Sequence, residues 1–374
     1  MKLQRMNRRA LTLGALVVSG ALALTACGSD DTSDGGDNSA APSAQAGNIK
    51  CDDAKGQLLS DGSSAQKNAI DAWVKQFTAA CGVQINYKAG GSGAGVTAFT
   101  QGQVPFAGSD SALKPDEVEA SKKICSGGQG IDLPMVGGPI AVGFNVSGVD
   151  KLTLDAPTLA KIFNDKIKNW NDPAIAKLNP GVKLPDLKIQ AFHRSDESGT
   201  TDNFTKYLIA TAKSDFPYEG GKAWQAKGGQ SAPQSSGVAA QVKQTNGAIG
   251  YFELSYAKEG IKTVALDTGA GTPVEATVDN ATKAIADAKV VGTGKDLALE
   301  LNYATKAEGA YPMVLVTYEI VCDKGNKADT LPATKAFLRY IASEDGQKIL
   351  AENDYAPIPD SIISKVRTTI EGLS

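Results

Sequence analysis

Histidine is almost absent from this chain of 374 residues; His193 is the only one. The five cysteines form no C-x-x-C pair. Together these scarcities argue against a zinc site built from the usual ligands, and no metal or other cofactor is expected. One imidazole and no G-x-S-x-G leave little for a serine hydrolase triad. An S-x-x-K spacing occurs at Ser64–Lys67 and recurs at Ser111–Lys114 and Ser255–Lys258, but no K-[ST]-G follows. A serine acyl enzyme of the penicillin-binding or β-lactamase type is therefore the alternative rather than the main reading. There is no G-x-G-x-x-G, and Gly294-Lys295 runs into Asp296 rather than Ser or Thr, so no nucleotide motif is complete. Basic stripes are missing too, which argues against nucleic acid. No internal repeat is visible.

What is present begins with a leader. Met1 to Arg9 carry four basic residues and no acid, Ala10 to Ala26 form an apolar run, and Leu24-Thr25-Ala26-Cys27 closes it. That order reads as a secretory signal peptide over 1–26. The closing residues resemble a bacterial lipobox, which implies an acylated Cys27. A transmembrane anchor is the alternative, but the run is near the lower length limit for spanning. Residues 28–48 are mostly Ser, Asp, Gly, Ala and Pro with little to bury, so 27–48 reads as a lipid-bearing cysteine and a disordered acidic tether. The chain is then expected to be exported and held at the outer face of the cytoplasmic membrane. The full chain has a formal net charge of −3, and loss of the four leader bases takes the remainder to −7. A protein of that charge does not attract anions by its overall field, so any anion must be bound by local donors.

Residues 49–374 are long enough for two domains. Cys51, Cys81, Cys125 and Cys322 can oxidise in an exported chain. Four cysteines allow three pairings, and sequence alone does not choose. The pairing expected is Cys51–Cys81 with Cys125–Cys322; the first would clip the opening strand and helix, stabilising by roughly 3–4 kcal/mol. Gln57 to Ser60 reads as a strand, Asp61-Gly62-Ser63-Ser64 as a turn. Ile70, Trp73, Val74 and Phe77 then share one helical face. Val83 to Tyr87 alternates as a strand, a short helix carries Val96 and Phe99, and Phe106 to Asp110 ends another strand. Strands alternating with helices predict an α/β fold with a mostly parallel sheet. Two long β-prone runs, Ile131 to Val146 and Ala310 to Val321, bracket a middle block. They are expected to be crossover strands, dividing the chain into lobe I (49–136 plus 311–374) and lobe II (137–310). Two crossings make a hinge with a ligand cleft between the lobes.

His193-Arg194-Ser195-Asp196-Glu197-Ser198-Gly199-Thr200 precedes an amphipathic run with Phe204, Tyr207 and Leu208. Hydroxylic residues before such a run mark a helix start, where unpaired N–H groups and the helix dipole favour an anion. Arg194 adds a planar fork of donors suited to phosphate. Ser63-Ser64 and Ser92-Gly93 read as two more such starts. Each alone is as consistent with an ordinary N-cap; the case lies in their company with Arg194 and Asp110. A carboxylate beside an anion repels it unless the anion still carries a proton to donate. Phosphate does and sulfate does not, so Asp110 would select between them. Asp110 read alone is a turn or cap residue, Arg194 alone a surface ion pair with Asp196 or Glu197. Asp196 could instead hold the guanidinium in place. His193 reads as a packing or surface residue, and Trp170-Asn171-Asp172-Pro173 as a helix-starting turn.

GSSAQ (62–66), AGGSGAG (89–95), AGSDSAL (107–113), NWNDPAI (169–175), HRSDESGT (193–200), YPMVLVTYEIV (311–321) and YAPIPDSI (355–362) resemble the phosphate-binding lipoproteins of bacterial phosphate-specific ABC transporters. The segments run through the whole of 49–374. The resemblance implies a two-lobe, periplasmic-binding-protein-like fold holding phosphate by hydrogen bonds without metal, and delivery to an ABC permease and ATPase by a monomeric receptor; the same fold binding another oxyanion, such as sulfate, molybdate or an organic phosphate, is a further alternative. It places phosphate ligands at Ser64, the Ala65 amide, Ser92, Asp110, Arg194, Ser198, Gly199 and Thr200. Ala65 replaces a bulkier residue of some relatives, and Glu197 stands where glycine is common; Glu197 is expected to point outward.

Overall fold

The computed structural model describes residues 49–258 and 260–374. The expected signal peptide (1–26), the acylated Cys27 and the tether (27–48) lie outside them. No helix among the described residues is long and apolar enough to cross a membrane.

The chain opens with β1 (Gln57–Gly62), α1 (Lys67–Cys81), β2 (Gln84–Lys88), α2 (Ser92–Thr100), β3 (Phe106–Ser109) and α3 (Pro115–Ser121). α1 forms as its apolar spacing dictates, burying Ile70, Trp73 and Phe77 on one face, while Val74 is half-buried. It ends at Gly82, whose φ of 68° is the left-handed stop that glycine adopts without strain. β4 (Gly130–Asn145) is 16 residues long and buried almost throughout. Its apolar run, broken only by Asp132 before the terminal Asn145, follows from having both faces covered.

The middle block contains β5 (Thr153–Asp155), α4 (Ala156–Phe163), α5 (Pro173–Leu178), β6 (Gln190–Arg194), α6 (Gly199–Ala212), β7 (Gln230–Ala232), α7 (Gln234–Gln244) and β8 (Ala248–Glu253). Asp172 caps α5 by accepting from the Ala174 amide, so the expected helix-starting turn is present. Then come β9 (Lys262–Thr263), β10 (Ala265–Asp267), α8 (Val278–Ile285), β11 (Lys289–Val290) and β12 (Leu299–Glu300). β13 (Val314–Cys322) and three helices close the chain: α9 (Leu331–Ala342), α10 (Glu344–Glu352) and α11 (Asp360–Glu371).

Nine strands make one sheet in the order β2-β1-β3-β13-β4-β8-β6-β7, with β9 on β4. β4 changes partner along its length. Gly130–Pro139 pair with β13, and Ile140–Asn145 pair with β8. The pairings are evenly mixed rather than mostly parallel. β1·β2, β1·β3, β6·β7 and β6·β8 are parallel; every pairing of β4 and β13 is antiparallel. The reason is topological: a chain that leaves one lobe and returns lays its outgoing and incoming strands side by side in opposite directions. The outgoing crossing is β4 itself. The return falls at the N-terminal end of the second long run, where Ile140 N–H donates to Met313 O and Tyr311 O–H to Ile140 O; β13 proper pairs only with β3 and β4. By hydrogen bonding, the stretch around β11 and β12 sides with lobe I, since Asp132 N–H donates to Asp296 and Leu297 N–H to Asp132 O.

Both expected disulfides are present, Cys51–Cys81 and Cys125–Cys322. The first ties the end of α1 to the segment before β1. The second joins β13 to the loop after α3, inside a small cluster with Phe99 and Ile320.

Candidate functional site

Arg194 is the last residue of β6 and is 2% exposed. It leaves the carboxyl end of a strand flanked by parallel neighbours, where ligand sites of α/β sheets form. Nε donates to Asp196 Oδ1 at 2.8 Å and Nη2 pairs with Oδ2. That fork locks the guanidinium plane. Nη1 faces the other way, 3.5 Å from both Thr200 Oγ1 and Ser235 Oγ. The Arg194–Asp196 pair is formed, but buried rather than at the surface, and Asp196 holds the guanidinium in place. Glu197 is exposed, as expected, with its side chain lying over Gly93.

Asp110 follows β3 and is 3% exposed. Its Oδ1 accepts from Thr317 Oγ1 at 2.8 Å and its Oδ2 from Thr200 Oγ1 at 3.2 Å. Burial pushes its pKa above the ordinary carboxylate value; bonds from Ser63, Thr317 and Thr200 and the charge of Arg194 pull back only part of that. Arg194 and Asp110 therefore meet on one hydroxyl, that of Thr200, although they come from different lobes. Asp196 is shifted the other way. Burial pushes it up, but the bonds and charge of Arg194 and the Gln234 amide outweigh this and hold it below the usual range.

Three junctions of similar sequence are used in three ways. Ser198 is an ordinary N-cap of α6, accepting from Thr201 N–H at 3.3 Å. Ser92 is not a cap. It is the first residue of α2, behind Gly91 at φ 104°, and its Oγ accepts from the amides of Asp110 (3.1 Å) and Gly199 (3.0 Å). The lobes touch here so closely that a Cβ on Gly199 would sit 2.6 Å from both Ser92 Oγ and Asp110 Cβ. Ser64 does not cap α1 either, which starts at Lys67 without a side-chain cap. Its Oγ accepts from Ser235 N–H across the cleft at 3.0 Å, and its carbonyl accepts from Tyr256 O–H at 2.7 Å. The Ala65 amide is held by Ser63 Oγ at 3.0 Å. The expected turn at 61–64 is correspondingly shorter, because Asp61 and Gly62 still belong to β1.

All eight expected ligand residues are buried, and bonds between the two sides of the seam join Ser64 to Ser235, Ser92 to Gly199 and Asp110 to Thr200. Sequence reasoning named Ser63 only as part of a helix start and missed two participants, Ser235 and Thr317. Ser235 had a usable signal. Gln234-Ser235-Ser236-Gly237 after Pro233 is a fourth hydroxylic helix start, opening α7. Thr317 had a weaker one, a hydroxyl inside the apolar run of β13. Lys67, the base an acyl enzyme would need beside Ser64, pairs with Asp71. His193 is half-buried and stacks on Trp224 with ring centroids 5.0 Å apart. Burial lowers its pKa, which suits a packing role. Among the described residues no group of three or more His, Cys, Asp or Glu side chains is arranged to hold a metal.

A family model described as a PBP superfamily domain matches residues 45–345. Phosphate-binding protein PstS 3 of Mycobacterium tuberculosis (strain ATCC 25618 / H37Rv) is 42% identical, over 99% of this chain and 100% of that one. Phosphate-binding protein PstS of Xylella fastidiosa (strain Temecula1 / ATCC 700964) is 35% identical, over 79% of this chain and 80% of that one. In fold, the chain is similar to the high-affinity periplasmic phosphate-binding protein PfluDING solved with phosphate. The TM-score is 0.69 at 20% identity, covering 83% of this chain and 93% of that one. A phosphate-binding protein from Stenotrophomonas maltophilia gives a TM-score of 0.64 at 19% identity, with the same coverages. With nearly full-length identity of this order and the two-lobe α/β architecture, the chain belongs to the PBP superfamily, in the family of the phosphate-binding proteins called PstS.

Proposed function

We propose that this protein is a receptor for inorganic phosphate that hands the ion to an ABC importer and does no covalent chemistry. One observation carries the reading: the buried guanidinium of Arg194 and the buried carboxyl of Asp110, from opposite lobes, share Thr200. Around that point stand Ser64, Ser92, Ser198 and Gly199, with Ala65 next to them in the loop before α1. Arg194 supplies the positive charge, the hydroxyls and helix-start amides supply neutral donors, and Asp110 accepts the proton that phosphate retains. Hydrogen bonds to a charged group contribute roughly 1.5–3 kcal/mol each. Micromolar binding needs about −8 kcal/mol, so several such bonds suffice after ordering and desolvation costs.

The reading also supplies the motion. Lobe I carries the loop before α1, the start of α2 and Asp110; lobe II carries Arg194 and the starts of α6 and α7. Rotation about the two crossings opens the seam to solvent and closes it on the ion. We place the receptor outside the cytoplasmic membrane, as a monomer anchored through an acylated Cys27, with the permease and ATPase of the importer as its partners. The division into lobes follows 49–136 plus 311–374 and 137–310, adjusted so that the β4 boundary falls after Pro139 and the stretch around β11 and β12 stays with lobe I.

Calorimetric titration of the full chain with phosphate, arsenate and sulfate tests this. Phosphate should bind at micromolar concentration or below, arsenate should compete, and sulfate should not. Equal affinity for sulfate, or hydrolysis of a β-lactam reporter, would overturn it.

A further inference from the structure

Three buried oxygens behind the site lack a donor among the described residues: both carboxyl oxygens of Glu319 and Oε1 of Gln66. Glu319 is in the middle of β13, fully buried, opposite Gly108 on β3 and Leu133 on β4. Gln66 lies beside it, at the start of α1. From Gln66 the hydrogen bonds run in one direction. Nε2 donates to Tyr87 Oη at 3.0 Å, and Tyr87 O–H donates to the Ser63 carbonyl at 2.8 Å. Ser63 Oγ then holds the Ala65 amide. One Nε2 hydrogen is committed to Tyr87, and with both Glu319 oxygens and Gln66 Oε1 lacking a donor the acceptors outnumber the hydrogens at hand.

Two acceptors facing each other in a dry interior are unfavourable. A proton on Glu319 removes the conflict, because its O–H can donate to Gln66 Oε1. Desolvation outweighs the one opposing influence on Glu319, a bond from the Gln66 side chain that favours the charged form. Asp110, after β3, disfavours a charge on Glu319, and Asp61, at the end of β1, acts in the same sense on Tyr87. Desolvation, above all, moves the Glu319 carboxyl up to about 8.

We propose that Glu319 is a positioning residue for the anion site: neutral, it donates to Gln66 and orders the Gln66–Tyr87–Ser63 chain beneath the 63–65 loop, and its ionisation weakens phosphate binding. Ionised Glu319 needs a donor, and the second Nε2 hydrogen of Gln66 is the one beside it; turning that hydrogen inward pulls the amide away from Tyr87. The new charge also lies close to Asp110 and repels the incoming anion. The sign is then determined. Glu319 is neutral below about pH 8 and binding is fully supported there; support is lost as pH rises through that value. By reciprocity a bound anion raises the Glu319 pKa, so binding above pH 8 takes up a proton. This rests on the phosphate reading given above.

The test is phosphate affinity of the full chain and of Glu319→Gln between pH 7 and 9.5, expressed per phosphate dianion at each pH because free phosphate itself passes from a mono- and dianion mixture to dianion at the lower end of that range. Gln at 319 mimics the neutral acid and can still donate to Gln66 Oε1. Wild type should lose about tenfold in affinity across the range, the equivalent of a one-unit rise in the Glu319 pKa on binding; Glu319→Gln should keep its pH 7 affinity throughout. Equal slopes in the two proteins overturn the inference and leave the receptor reading intact. Failure of wild type to bind phosphate at pH 7 overturns both. Should Glu319→Gln not fold, wild type is titrated at pH 8.5 in two buffers of different ionisation enthalpy. Net proton uptake on phosphate binding supports the inference, and none overturns it.

Discussion

Two aspartates flank Arg194, and the fold treats them in opposite ways. Asp196 is in the loop after β6, half-buried and engaged by both arms of the guanidinium, and its pKa is held below the ordinary range. Asp110 comes from the other lobe, is fully buried, touches only hydroxyls, and is pushed above that range. One carboxylate is bound to the arginine and serves to place it. The other faces the same arginine across Thr200 and keeps its acceptor capacity for something else. A charge near an arginine is therefore not one role but two, separated by burial and by which donors reach it.

Removing the shared partner should have the largest effect. Arg194→Ala leaves both carboxylates without a counter-charge, and phosphate affinity should fall at least about a hundredfold by calorimetry. A loss below tenfold would mean that the arginine is not a ligand. Asp110→Ala comes next. The ratio of phosphate to sulfate affinity should drop by about tenfold, since the acceptor that disfavours an unprotonated anion is gone; an unchanged ratio removes Asp110 from the selectivity account. Asp196→Asn keeps Arg194 but frees its plane, and phosphate affinity should weaken by about fivefold with no change in that ratio.

The smallest effects are the most diagnostic. A carboxylate whose folded pKa is raised loses stability as pH climbs past its unfolded value, whereas one whose pKa is depressed adds stability above that value and loses it as pH falls through the folded one. Ligand-free Asp110→Asn should therefore melt about 2 °C higher than wild type at pH 7, and Asp196→Asn about 2 °C lower. Below about pH 4, both differences should shrink as the carboxylates protonate. Shifts of the same sign in both variants would contradict the opposed environments.

The α/β class, the apolar face of α1, the two long runs and the Arg194 motif were all legible in the linear chain, because each depends on residues within a turn or a strand of one another. The seam was less so. Ser198 reads as a cap and is one, yet Ser64 and Ser92 look alike on paper and spend their hydroxyls on Ser235 and Gly199 of the opposite lobe. Local preference cannot distinguish a serine that closes its own helix from one that reaches across a cleft. Nor could it find Thr317, whose bond to Asp110 spans 207 residues.

By itself the sequence determined which backbone segments could form and where a guanidinium, an acceptor carboxylate and helix-start hydroxyls were available. Tertiary structure alone decided the mixed sheet, since antiparallel crossings arise from a chain that goes out and comes back. It also decided which side each carboxylate's pKa moved to. Desolvation belongs to the assembled interior: no single stretch of chain buries Asp110 or Glu319, and the Gln234 amide that helps hold Asp196 down comes from a distant segment.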